Sequence, residues 1–172
     1  MAEFNSCSHL LNNIDEATKK YNEIKSSGGS PLNEMLKMQN QLQVNLKEKL
    51  GRTIPPDELK TKGELVDFLF DQKRAFDDEF MELIHSIAGS NKSDKEQTSI
   101  WKKWKSDYTK LRSEDINEGL TEEEIHEKNM ELCDLTHFFL NMVLALGLTE
   151  KELFEYYYLK NKENFNRYQN GY

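Results

Sequence analysis

The chain has 172 residues, enough for one domain with a sizeable core, and sets 31 acidic against 23 basic side chains for a net charge of −8. No segment carries a basic stripe, so the composition argues against binding to nucleic acid or to an anionic membrane surface. With only 8 glycines, 3 prolines and almost no β-branched runs, it also argues against a sheet-based fold and for an all-α one.

The first predicted helix covers 4–24, with Leu10, Leu11, Ile14, Ala17 and Tyr21 on its apolar face. Ser26 to Ser30 is a flexible break, and Pro31 suits the first turn of a second helix over 31–50. Its apolar ridge reads as Met35, Met38, Leu42 and Leu46, beside a dense set of amides, Gln39, Gln41, Gln43 and Asn45. Glutamine is a good helix former, so the ordinary reading of those amides is a solvated face. Residues 51–59, with Pro55-Pro56, connect to a long helix that starts at the capping box Thr61-x-x-Glu64 and runs to about Ala88. Leu65, Phe68, Leu69, Phe76, Phe80, Leu83, Ile84 and Ile87 form its core stripe, and Glu79 and Glu82 lie on that stripe.

A polar link over 89–93 leads to TSIWKKWKSDYTKL, read as a shorter helix with Trp101 and Trp104 on one face among lysines. Thr121-x-x-Glu124 is a second capping box and opens a helix that closes at Gly147, a residue suited to a left-handed cap. From Met130 onward this helix is apolar nearly all round, which predicts burial in a core or an interface. Glu131 and Asp134 sit inside that run, and two carboxylates there require a cationic partner. His137 reads as a packed core histidine. A third box, Thr149-x-x-Glu152, starts a last helix carrying Lys160, Asn164 and Arg167 at i, i+4 and i+7.

Spacing alone identifies no site, because about five acid-x-x-acid pairs are expected by chance at this acidic density. Glu124/Glu127 and Glu152/Glu155 have charged neighbours and read as solvated faces. Glu79/Glu82 and Glu131/Asp134 have apolar neighbours, and two antiparallel helices presenting one pair each would converge four carboxylates. Oxygen ligands without Cys or His select hard ions, Mg²⁺ first and Mn²⁺ as a substitute. The same residues also permit a buried salt-bridge network. Lys160, Asn164 and Arg167 suit phosphate oxygens, but equally a solvated C-terminal turn. The cysteines Cys7 and Cys133 offer neither a disulfide framework nor metal-knuckle spacing, which fits a reduced, cytoplasmic setting. The absence of a signal peptide and of an apolar run of about 18 residues predicts a soluble protein.

In this order, MLKMQNQLQ at 35–43, ExxE at 79–82, WKKWK at 101–105, ExxD at 131–134 followed by HFF, and the tail YLKNKENFNRYQNGY resemble the all-α dUTPase and dCTPase families, relatives of the MazG-type pyrophosphatases. The likeness is greatest to the dCTP-pyrophosphatase branch of T-even-type phages and extends over nearly the whole chain, from the opening MAEFNSCSHLL to the terminal Gly171-Tyr172. It implies a bundle of about six helices forming a single domain over 1–172, a homodimer, and Mg²⁺-dependent hydrolysis of dCTP and dUTP to the monophosphate and pyrophosphate. By this resemblance Glu79, Glu82, Glu131 and Asp134 are the metal-binding and catalytic carboxylates. Gln39 and Gln43 belong to the base pocket, Trp104, Lys105 and Phe138 to the nucleotide's surroundings, and Lys160, Asn161, Asn164 and Arg167 to the phosphate grip. In the resembling phages this reaction clears dCTP from the pool used for hydroxymethylcytosine DNA and supplies dCMP, in the host cytoplasm and beside other nucleotide-synthesis enzymes. Gln43 stands where dimeric dUTPases typically carry Asn, which tilts the base toward cytosine, and Tyr168 departs from the usual Gln. A dUTPase proper, a broader MazG-like pyrophosphatase and a non-catalytic helical interaction module are the alternative readings.

Overall fold

Among the described residues the chain forms seven α-helices and two 3-10 turns and no strand: α1 (Ile14–Ser26), α2 (Pro31–Leu50), α3 (Lys62–Ala88), α4 (Asp94–Gln97), α5 (Ser106–Leu111), α6 (Glu122–Ala145) and α7 (Glu150–Gln169). This computed structural model describes residues 8–51, 54–89 and 93–169. The fold class is the all-α one that composition dictates. Residues 4–7 of the first predicted helix, Cys7 and the terminal Gly171-Tyr172 lie outside the described residues. What is described of that first segment opens as a 3-10 turn, Ser8–Asn13, before α1 begins.

Helix starts follow local side-chain chemistry. Thr61 N donates to Glu64 Oε2 at 2.9 Å and Glu64 N donates to Thr61 Oγ1 at 3.1 Å, the reciprocal pair of a capping box. Thr121/Glu124 and Thr149/Glu152 repeat it. Ser93 and Glu96 form a fourth box, which opens the four-residue α4. Ser30 caps α2 with Pro31 at its first position, and Gly51 closes it at φ 63°. At the end of α6, Gly147 (φ 68°) and Leu148 donate to Leu144 O and Val143 O, so the left-handed glycine terminates the helix as its sequence predicts.

The chain divides into two compact units whose boundaries fall inside α1, α3 and α6. One unit combines 8–20 with Lys73–Phe138, the other Tyr21–Gln72 with 139–169. In the second unit, Leu36, Leu140 and Val143 are buried together, with Leu32, Leu144, Leu148 and Leu153 packed against them. This sets the inward face of α2, and it differs from the ridge read in the sequence. Met35, Met38 and Leu42 are exposed, while Leu36, Gln39 and Gln43 are buried. Two amides are tolerated inside because Gln39 finds a buried partner there, Asn141. Gln41 and Asn45 do form the solvated face, bonded to each other along the helix.

In the first unit Ala88, Ile100 and Leu135 are buried. Three sequence expectations fail in this region. Of the segment TSIWKKWKSDYTKL only Ser106–Leu111 is helical, and the part carrying Trp101 and Trp104 is a succession of tight turns, because Ser99 N, Lys102 N and Lys105 N each reach back only three residues. Ser99, buried, locks the arrangement by donating its hydroxyl to Asp107 Oδ2 at 2.7 Å. Secondly, α6 is not buried all round, since Leu132 and Cys133 here and Phe139 in the other unit are exposed. Finally, His137 is exposed and not packed in a core. No single helix is long and apolar enough to cross a membrane.

Candidate active site

The α3 register puts Glu79 and Glu82 one turn apart, and the α6 register does the same for Glu131 and Asp134. Within the first unit, Glu79, Glu131 and Asp134 each turn a carboxylate oxygen to a common point, all within 4.8 Å of one another. Glu82, exposed, stays outside this trio. It is still near enough for its charge to act on Glu79 and Glu131. Partial burial, then the negative charge of Glu82 and Asp134, holds the Glu131 carboxyl up at about 7. Partial burial likewise raises Glu79, with Glu82 next in effect. Asp134 is raised by burial and moderated by the nearby His137.

No lysine or arginine pairs with these carboxylates among the described residues. Among the described residues, then, no lysine or arginine supplies the cationic half of a salt bridge to Glu131 and Asp134. An all-oxygen set of three clustered carboxyl groups, with no lysine or arginine paired to it among the described residues, fits a hard divalent cation. Glu127 adds to the field on Glu131 and Asp134. The sequence reading assigned it to a solvated face because its neighbours in the chain are charged. Its position one turn before Glu131 was the available signal.

Trp104 and Lys105 are exposed, with the Trp104 ring edge-on to Trp101 at a centroid distance of 6.1 Å and an interplanar angle of 85°. Phe138 is half-buried at the end of the same unit. In the second unit, Gln43 lines a cavity of about 250 Å³ with Leu59, Phe68, Asp67, Asp71 and Gln72. Gln39 does not line it. Its Nε2 donates instead to Asn141 Oδ1 at 2.8 Å, and Asn141 Nδ2 donates onward to Gln72 Oε1 at 2.7 Å. Gln72 and Asn141 are the residues that sequence reasoning missed here. Lys160, Asn161, Asn164 and Arg167 are all exposed on α7, and Arg167 is engaged by Glu163. Asn161 also borders an open groove of about 430 Å³ with Phe154, Tyr157, Tyr158 and Phe165.

Fold and site together define an all-α protein built around a clustered carboxylate centre. The chain is 41% identical over its full length, and over the full length of the other protein, to a dCTP pyrophosphatase of Enterobacteria phage T4. It is 40% identical, again over both full lengths, to a dCTP pyrophosphatase of Enterobacteria phage LZ5. It also matches, at 40% identity over 96% of the chain, a DNA replication protein of phage T4, of which it spans 42%. The chain belongs to the dCTP pyrophosphatase family of T4-type phages. No family model matches it. No solved structure matches it.

Proposed function

We propose that the chain hydrolyses dCTP, and dUTP beside it, to the monophosphate and pyrophosphate, with Mg²⁺ as cofactor and Mn²⁺ as a substitute. The observation that carries this reading is the convergence of Glu79, Glu131 and Asp134 with no lysine or arginine to neutralise them among the described residues. Relatives named dCTP pyrophosphatase along the whole chain supply the substrate.

Glu79, Glu131 and Asp134, with Glu82 beside them, would hold the metal through carboxylate oxygens. The chemistry such an ion supplies when bound is polarisation of the α-phosphate and activation of a water. Lys160, Asn161, Asn164 and Arg167 grip the phosphate oxygens, where charge-assisted hydrogen bonds are strongest. Gln43 meets the base, Gln39 supports it from behind, and Trp104, Lys105 and Phe138 border the nucleotide. The whole of 1–172 works as one nucleotide pyrophosphatase domain. The exposed aromatics Phe154, Tyr157, Tyr158 and Phe165 of α7 suit burial against a second copy, giving a homodimer. We place the enzyme in the cytoplasm of the infected host, beside other enzymes of phage nucleotide synthesis, clearing dCTP and supplying dCMP.

The test is pyrophosphate release from a panel of dNTPs with Mg²⁺. The expected order is dCTP and dUTP hydrolysed, dTTP poor because its methyl adds bulk, and purine nucleotides untouched. Preference for dUTP over dCTP would make the chain a dUTPase proper. Comparable kcat/KM for dATP and dCTP would move it to a broader pyrophosphatase class. Release from none of them would leave a helical interaction module.

A further inference from the structure

The cavity beside Gln43 has a second amide on its wall, Gln72, to which the proposed chemistry gives no role. Three amides, Gln39, Asn141 and Gln72, form a directional chain that starts in the core and ends at the cavity wall. Gln39 and Asn141 are each only 2% exposed, so neither can exchange its partner for water. Gln39 Nε2 donates to Asn141 Oδ1, which commits Asn141 to donate through Nδ2, and this bond goes to Gln72 Oε1. An amide has one acceptor end and one donor end. With its oxygen occupied by Asn141, Gln72 is left with its N–H groups for the cavity it lines, and no other hydrogen bond engages it among the described residues.

The rest of the wall has the complementary character. Phe68, Leu59 and Ile54 supply apolar surface, Gln43 supplies a further amide, and Asp67 supplies a negative carboxylate beside Asp71 and Glu64. Cytosine presents acceptors at O2 and N3 and a donor at its 4-amino group, whereas uracil carries a donor at N3 and an acceptor at O4. Carboxylates accept from the cytosine amino group and repel the uracil carbonyl.

We infer that Gln72 is a specificity-determining residue, held by Asn141 with its N–H groups toward the cavity, where they meet the acceptor edge of cytosine and disfavour uracil. The inference rests on the pyrimidine-nucleotide reading above and adds which base is preferred and what enforces it. Asn141 acts as a positioning residue, because it sets the amide's direction without reaching the cavity itself.

The test measures binding of dCMP and dUMP to the metal-free protein by titration calorimetry, so that no step of the hydrolysis enters. It is paired with kcat/KM for dCTP and dUTP in Mg²⁺. Gln72→Glu keeps an acceptor for Asn141 but turns an oxygen to the cavity. The dCMP to dUMP affinity ratio should fall about tenfold or more. Gln72→Met, which turns neither donor nor acceptor inward, should fall between this variant and the wild type. Asn141→Asp offers acceptors to both glutamines and should reverse Gln72, moving the ratio in the same direction as Gln72→Glu. A ratio unmoved by all three variants, with both nucleotides still bound, overturns the inference alone. Wild-type protein that binds neither nucleotide and releases no pyrophosphate from dCTP or dUTP in Mg²⁺ overturns the functional reading, and this inference with it.

Discussion

Arg167 Nε donates to Glu163 Oε1 at 3.1 Å, one turn away on α7. The arginine proposed to hold phosphate oxygens is thus already held by a carboxylate on its own helix. The pair is well exposed, and such pairs contribute only about 0.2–1 kcal/mol, far less than an arginine–phosphate contact. Substrate phosphate should therefore displace Glu163. Glu163→Gln is expected to lower KM for dCTP by about 1.5–5-fold without raising kcat, read by steady-state kinetics. Arg167→Ala should weaken triphosphate binding by roughly 1.5–3 kcal/mol and dCMP binding much less. Equal losses for both ligands would sink the role given to Arg167.

Glu131 is the most strained of the clustered carboxylates. Glu131→Gln keeps the shape and removes a charge that burial and its neighbours oppose. Turnover should be nearly abolished, while the metal-free variant melts above the wild type by about 2–8 °C, equivalent to roughly 1–2 kcal/mol after allowance for solvent screening. A variant that melts lower, with activity per folded molecule unchanged, would assign Glu131 a structural role instead.

Two populations of carboxylates should give the metal-free protein a domed pH-stability curve. The carboxyl groups of Glu79, Glu131 and Asp134 are raised in the folded state, so the fold holds protons that the unfolded chain releases. Their contribution is full at low pH and lost as pH rises, for Glu131 between about 4.5 and about 7. Glu64, Glu96 and Glu152 are lowered by backbone hydrogen bonds at their caps, so their contribution is present above 4.5 and lost as pH falls. Thermal melts across pH 3–9 should peak near pH 5. Mg²⁺ added at pH 8 should raise Tm by mass action, and the rise should vanish with a chelator. An apo curve that climbs steadily to pH 8 would contradict the clustering.

Gln39→Ala would be expected from helix propensity alone to cost little or even to stabilise. The structure reverses that expectation, because Asn141 would be left with a buried oxygen and no donor. A loss of about 1–3 kcal/mol in chemical denaturation is expected, with the dCTP to dUTP preference eroded as well. A neutral effect would mean that Asn141 finds another donor.

What the sequence revealed most clearly was whatever is decided within four residues. Thr61, Thr121 and Thr149 each announced a helix start because the capping glutamate lies three positions on. Gly147 announced a stop because its backbone conformation favours glycine. The pairing of Glu79 with Glu131 and Asp134 was readable as two acidic doublets on apolar helices, although Glu82 stands aside from the cluster in the fold. The inward face of α2 was not readable. Periodicity favoured the methionines, and only a partner 102 residues away makes Gln39 an interior residue. The turns around Trp101 were equally hidden, since they depend on Ser99 reaching Asp107 and not on helix propensity.

Ser30 ends one sequence segment and organises two helices. Its oxygen accepts from Asn33 N at the start of α2, while its hydroxyl hydrogen goes to Glu150 at the start of α7. A hydroxyl gives and receives at one atom, asparagine could serve both only by dividing the tasks between Oδ1 and Nδ2, and aspartate has no donor for Glu150. Aspartate or asparagine would cap α2 as well by every local rule, yet aspartate would set a second negative charge against Glu150. A library randomised at position 30 and selected for folding should therefore return hydroxyl residues and asparagine, and recover aspartate only when position 150 changes with it. The two positions are 120 residues apart in the chain, and selection acting on one should be felt at the other.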